Sequence, residues 1–264
     1  MTVSLDALDL AIAALLVVLN AGLSLRLGLA LERPLLVAAT RTAVHLFLVG
    51  FVIKALFALE SPLWTGLMAL VMVLAAGYEV HARQARRFTG IWAYGLGTLS
   101  VTAGAGLVTL LALTVVVQPE PWYQPRYAVP LLGMVLGNAM TAVSLALDSL
   151  ATAATRERAA IEARLALGAD RATAMRAVAH QALRTGLMPI INAMSAAGII
   201  ALPGMMTGQI LAGADPVEAV KYQILIMFLI AGGTGIGVFL AVTIGTRRLS
   251  DPRHRLRLDR LNAS

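Results

Sequence analysis

The chain has 264 residues, 59% of them hydrophobic and only 13% charged, with a mean hydropathy of +0.80 and a net charge of +7. So apolar a composition exceeds what one soluble core buries and assigns the chain to a bilayer. Cysteine is absent, which excludes disulfides, thiolate metal sites and thiol nucleophiles and leaves Met or His for any soft-metal contact.

A helix needs about 20 mainly apolar residues to cross about 30 Å of hydrocarbon. Seven segments qualify: Leu5–Leu25, Leu36–Phe57, Leu63–Val80, Ile91–Val117, Val129–Leu150, Leu187–Leu211 and Val220–Ile244. The expected fold is therefore an all-α, multi-pass integral membrane protein of about seven transmembrane helices. One membrane domain covers 1–249 and a basic tail covers 250–264. Asp6 and Asp9 stand at the first segment with no basic stretch before it, which predicts a retained span and not a cleaved signal.

Charge asymmetry predicts the orientation. The arginines of 26–41, 83–87, 156–184 and 247–260 all fall on one side of a seven-span chain, and only Lys54, Arg126 and Lys221 fall opposite. By the positive-inside rule the N-terminus is outside and the C-terminus cytoplasmic. Topology and contact with anionic lipid then account for the net charge, and a nucleic-acid partner is not needed.

In chain order, the second span opens with Arg41 and His45 on one helical face. Arg41 reads as an interfacial residue and His45 as a minor candidate for a role inside the bundle. The third span ends at Glu79 before the cluster Arg83–Arg87. Glu79 is placed either to pair with Arg83 at i+4 or to attract a cation at the inner mouth. Gly95, Gly97, Gly104 and Gly106 in the fourth span predict close helix packing. The proline-rich loop QPEPWYQPR at 118–126 reads as a short outer cap with Trp122 and Tyr123 at headgroup level.

The fifth span carries Gly133, Met134, Gly137, Asn138, Thr141 and, near its cytoplasmic end, Asp148. Asn138 must find a hydrogen bond in the bilayer, from a neighbouring helix or from a lined pathway. Residues 151–186 form the largest cytoplasmic element. Gly168, Ala169 and Asp170 interrupt helix-forming sequence there, which predicts two short helices at an angle.

The sixth span holds the most unusual sequence, LPGMMTGQILAGADPVEAVKYQ from 202 to 223. Pro203 removes a backbone donor and predicts a kink or break in mid-membrane, where freed carbonyls are tolerated only against protein or a wet cavity. Met205, Met206 and Gln209 lie within a turn and a half of it. Met134 and Asn138 share a face of the fifth helix, so the two groups are expected to line one cavity, with Met205 and Met206 as candidate soft contacts for a metal. The glycines at 232–237 are read as helix packing.

The blocks LPGMMTGQILAGADPVEAVKYQI and, at 133–148, GMVLGNAMTAVSLALD resemble the membrane subunits of the FetB (YbbM-type) family of ABC transporters, which includes a proposed bacterial iron exporter and plant relatives linked to aluminium tolerance. The likeness extends from Leu10 to about Leu249. It implies a permease subunit in the cell (inner) membrane, a homodimer working with two copies of a FetA-like ATPase, and a cargo that is iron or another metal ion or complex. The spacing of Glu162, Ala163 and Gly168, with Asp170 following, resembles the coupling loop through which permeases receive force from the ATPase. The later Leu-Pro of that pattern falls here on His180 and Gln181.

The chain itself contains no GxxxxGK[ST], no HExxH and no GxSxG. It is therefore expected to be no enzyme and to bind no cofactor, with ATP reaching the system through the partner. The expected pathway residues are Met134, Asn138, Met205, Met206 and Gln209, with Glu79 and Asp148 toward the cytoplasmic mouth. An ion-coupled secondary carrier and a non-transporting scaffold are the alternatives.

Overall fold

The computed structural model describes residues 6–262, and every regular element among them is helical. In chain order these are α1 (Ala7–Leu27), α2 (Glu32–Leu59), α3 (Pro62–Arg83), α4 (Trp92–Leu111, prolonged by a π-helical turn at Ala112–Val116), α5 (Pro125–Arg156), α6 (Arg158–Ala166), α7 (Arg171–Ala196), α8 (Gly204–Leu211) and α9 (Pro216–Arg248). Six are long and apolar enough to cross a membrane: α1, α2, α3, α4 with its extension, α5 and α9. With the apolar composition, they make this a multi-pass integral membrane protein.

The chain divides into two compact units. The first comprises the residues to Glu60 together with Leu211–Gly213, and its body is the pair α1 and α2. Asp6 caps α1 by accepting from the amides of Leu8 and Asp9, and the Asp9 carboxylate returns to the Asp6 amide at 3.0 Å. This closed box satisfies donors that the first turn leaves orphaned. Ser24 fixes the turn between the helices by accepting from the Leu31 amide at 2.9 Å and donating to Glu32 at 3.2 Å. Both helices present leucines and valines outward, and α2 also Phe47 and Phe51, as lipid-facing spans do.

The second unit, Ser61–Ile210 with Ala214 onward, is built on the close packing of α5 against α7 and α9 and of α4 against α9. Glycine permits the last contact: a Cβ at Gly104 would strike the carbonyl of Gly233, and one at Gly237 would lie 3.2 Å from the Ser100 carbonyl oxygen. Gly97 likewise admits Val80, and Gly186 admits the Ala146 methyl. Such contacts bring backbones together where no hydrophobic effect drives helices to associate. Gly95, Gly106 and Gly235 face open space, so the packing role expected of every glycine in these spans belongs only to some of them.

The residues after α9 do not form a loose tail. Asp251 accepts from the amides of Arg253 and Arg255, both at 2.9 Å, and turns the chain back. Thr89 then donates to the Arg260 carbonyl at 2.9 Å and Asn262 to that of Arg87 at 2.8 Å. Phe88, 1% exposed, is enclosed beneath this clasp, and Arg248 lies over the Trp92 ring at 5.1 Å. Leu256, Leu258 and Leu261 pack on the core. The described residues of the basic tail thus pack within the second unit.

Candidate functional site

The sixth predicted span is not one helix. α7 begins at Arg171, in sequence expected to be a short cytoplasmic helix, and runs unbroken through Gly186 and Pro189 to Ala196. The chain then leaves helical geometry for Ala197–Pro203 and resumes as α8. The interruption thus begins six residues before Pro203. Gly198 (φ +80°) takes a backbone conformation that disfavours side chains, and Pro203 closes the segment just before α8.

Depth follows from packing. Gly186 lies against Val238, so in the antiparallel α9 the end of α7 is level with about Phe228, about 18 Å from the first residue of α9 at 1.5 Å per residue. The interruption is therefore level with the apolar part of α9, a helix long and apolar enough to cross a membrane. Its polar backbone is largely satisfied within itself: the amides of Ile200 and Ala201 donate to Ala196 O at 3.0 and 3.1 Å, and Gly198 donates to Ala201 O at 2.9 Å. Non-helical backbone at this depth requires such pairing or a protein or water neighbour.

Beyond the interruption, Met205 packs on the core, Met206 is buried, and Gln209 is half-buried with its Oε1 lacking a hydrogen-bond partner. Gln223, in the second turn of α9 and 8% exposed, has an equally unpartnered Oε1. α8 and α9 thus each carry a buried amide oxygen able to accept from a donor or to contact a cation. Gln223 was not anticipated; the signal was a lone amide within an apolar span.

On α5, Met134, Asn138, Thr141, Leu145 and Asp148 follow at alternating spacings of four and three, which sets them along one face. The face is partly open. Asn138 returns its amide nitrogen to Met134 O at 2.9 Å, Thr141 donates to Gly137 O at 3.1 Å, and Asp148 accepts the Ala85 amide at 2.8 Å. Arg83 reaches Thr141 at 3.5 Å and Glu79 at 3.4 Å, so the i+4 ion pair expected of Glu79 is formed. A cavity of about 130 Å³ lies among Arg83, Thr141, Ser144 and Asp148. Within one chain, α5 and α8 share no extensive packing, so Met134 and Asn138 are not brought against Met205 and Gln209 by direct contact of those helices. Among the described residues, no three His, Asp or Glu converge as a metal site.

The elbow between α5 and α7 is α6, which carries Glu162 and Ala163; Arg158 pairs with Glu162 at 2.8 Å. Gly168 (φ +91°) reverses the chain, and Asp170 caps α7 by accepting from the Thr173 amide at 2.7 Å. The hydrogen bonds of Thr173 hold the Asp170 carboxyl below its ordinary range. The predicted second short helix is instead the start of the long α7, because Gly186, packed against Ala146 and Val238, and Pro189 are both accommodated within it. The elbow is therefore joined to the interruption at Ala197–Pro203 by one continuous helix.

The sequence model of an uncharacterised protein family, UPF0014, matches residues 7–250. The "Probable iron export permease protein FetB" of Escherichia coli is 32% identical over 94% of this chain and 93% of its own length. The "UPF0014 membrane protein slr1647" of Synechocystis is 40% identical over 77% of this chain and 78% of its own. "Protein ALUMINUM SENSITIVE 3" of Arabidopsis thaliana is 35% identical over 85% and 80%. No solved structure matches the chain.

Proposed function

The chain belongs to the UPF0014 family of membrane proteins, and from that membership we propose that it is the membrane-spanning permease subunit of an ABC transporter. A separate FetA-like subunit hydrolyses ATP, and two permease copies form the pathway. The cargo is a metal ion or metal complex, iron moving outward being the first assignment, in line with the name of the Escherichia coli relative. The N-terminus is outside and the C-terminus cytoplasmic, with α7 and α8 together making the sixth of seven crossings. The arginine distribution supports this orientation.

The observation that carries the reading is the continuity of α7. Force applied by a cytosolic partner at Glu162, Ala163, Gly168 and Asp170 travels along a rigid helix to the Ala197–Pro203 interruption, where the chain can bend without breaking a helical ladder. Motion there displaces Met205, Met206 and Gln209 relative to α9. In the dimer the open face of α5, with Met134, Asn138 and, at its inner end, Asp148 beside Glu79, turns toward the pathway. The chemistry suits a cation: thioethers and amide oxygens contact it in the bilayer, and carboxylates gather it at the mouth.

The test is reconstitution of the chain in vesicles with and without its ATPase. ATP-dependent metal flux that needs both subunits is the expected result. Flux driven by an ion gradient with this chain alone overturns the assignment. Gly168→Pro, which cannot adopt a φ of +91°, should abolish stimulation of ATP hydrolysis while membrane insertion persists.

A further inference from the structure

Between the first turns of α7 and the last turns of α9 lies a cavity of about 400 Å³ that the transport reading does not use. Its lining includes Arg171, Arg176 and His180 from α7, Thr246 and Arg247 from α9, and Ser250 just beyond; among the described residues no acidic side chain lines it. Elsewhere in this unit arginines hold carboxylates: Arg83 with Glu79, Arg158 with Glu162, Arg255 with Asp251, Arg257 with Asp259. The nearby acids are committed. Asp170 feels Arg176 but caps α7, and Asp251 is held by Arg255. Three arginines thus line one hollow, and among the described residues no carboxylate lines it with them, which is the chemistry of a phosphate or phosphodiester site.

The hollow continues into an apolar groove. Thr243 lines both it and a second cavity of about 530 Å³ that runs along α9 past Phe239, Ile236 and Gly235 to Gly232. Gly235 makes this groove a notch, since nothing lies within 4 Å of where its Cβ would be. From Thr243 to Gly232 is about 16 Å of helix, close to one leaflet of a hydrocarbon core about 30 Å thick. Arg247 and Arg248 end the apolar stretch of α9, so the basic hollow lies at the headgroup level and the groove below it at acyl depth.

We propose that the joined hollow and groove bind one anionic phospholipid, its phosphodiester on Arg171, Arg176 and Arg247 and an acyl chain along α9 at Gly235. Charge complementarity selects the head and the apolar notch selects an amphiphile over a free anion. A lipid so placed bridges α7, which leads to the interruption, and α9, against which that interruption moves.

The test uses the purified full-length chain in uncharged detergent, with binding of phosphatidylglycerol, phosphatidylcholine of the same acyl composition and inorganic phosphate measured by native mass spectrometry. Phosphatidylglycerol should bind about tenfold or more tightly than phosphatidylcholine, and R176Q/R247Q should erase that preference. R86Q/R184Q removes the same charge outside the hollow and should leave it intact. Gly235→Phe, for which there is room, should weaken phosphatidylglycerol binding about tenfold with the helical circular dichroism unchanged. Equal binding of the two lipids, or a preference that survives R176Q/R247Q, overturns the proposal. So does full displacement by inorganic phosphate with no effect of Gly235→Phe, which would make this a free-anion site.

Discussion

Asp148 Oδ1 accepts the backbone N–H of Ala85 at 2.8 Å, so a carboxylate on α5 holds the chain where it leaves α3. This contact gives Asp148 a structural task besides the cation-gathering one proposed for it, and the two are separable. Asp148→Ala removes the acceptor and should cost about 1 kcal/mol, the usual worth of a partly exposed hydrogen bond. Asp148→Asn keeps an oxygen for Ala85 and discards the charge. Its melting temperature should stay within about 2 °C of the parent while metal flux falls; unchanged flux in Asp148→Asn would leave Asp148 with the structural task alone.

The two unpartnered amide oxygens make a sharper case. A buried acceptor without a donor costs about 1–3 kcal/mol, so Gln209→Met and Gln223→Met should leave stability unchanged or raise it. If Gln209 contacts cargo, transport by Gln209→Met falls at least about tenfold although the protein melts no lower. A variant that is both more stable and fully active would show that Gln209 takes no part in passage.

Close packing of α4 on α9 depends on particular glycines. A side chain at Gly233 would meet Val135 and the Gly104 carbonyl, so Gly233→Leu should destabilise by about 3 kcal/mol or more, the upper end for overpacking plus backbone displacement. Gly106→Ala, in open space on the same helix as Gly104, should be neutral. Thermal melting in detergent distinguishes the pair.

The clasp formed by the C-terminal residues should respond to acid. Asp259 is pulled down from 3.8 to about 2, chiefly by the hydrogen bond from Arg257, and Asp251 is lowered by the Arg255 amide. A depressed carboxylate contributes stability above its ordinary value and loses it as pH falls through the folded value. The clasp should therefore hold at neutral pH and loosen between about pH 4 and pH 2. Hydrogen exchange at Thr89 and Asn262, corrected for intrinsic rates, should accelerate in that window; no change would mean that the buried Phe88 alone holds the segment.

Gly168→Ala places a side chain at φ +91°, which should cost about 1–2 kcal/mol. Because nothing lies near its Cβ, the penalty is purely conformational. Expression and insertion should survive while stimulation of the partner ATPase weakens, which a hydrolysis assay on the reconstituted pair would read.

Hydropathy and residue spacing were sufficient for an all-helical membrane protein, for five spans close to their observed limits, for the pairing with Arg83 as one of two readings of Glu79, and for an interruption of the helix at Gly168 to Asp170. Each of these depends on residues a few positions apart, whose physics is local. The sequence also placed an interruption in the sixth span, though at its later edge, because Pro203 is a visible breaker whereas the turn at Gly198 depends on carbonyls offered by Ala196 and Ala201.

What only tertiary structure decided involves residues far apart in the chain. The α7 helix runs from the elbow to the interruption at Ala197 because α5 and α9 cover it on the way, and no periodicity announces that a polar helix will continue into an apolar one. Which glycines carry packing was settled by partners such as Ser100 and Gly233 on opposing helices. The folding back of the tail onto Phe88 and the gathering of Arg171, Arg176 and Arg247 join positions dozens of residues apart. Local propensity fixes what each segment is, whereas long-range burial and charge in a low-dielectric environment fix which segments meet.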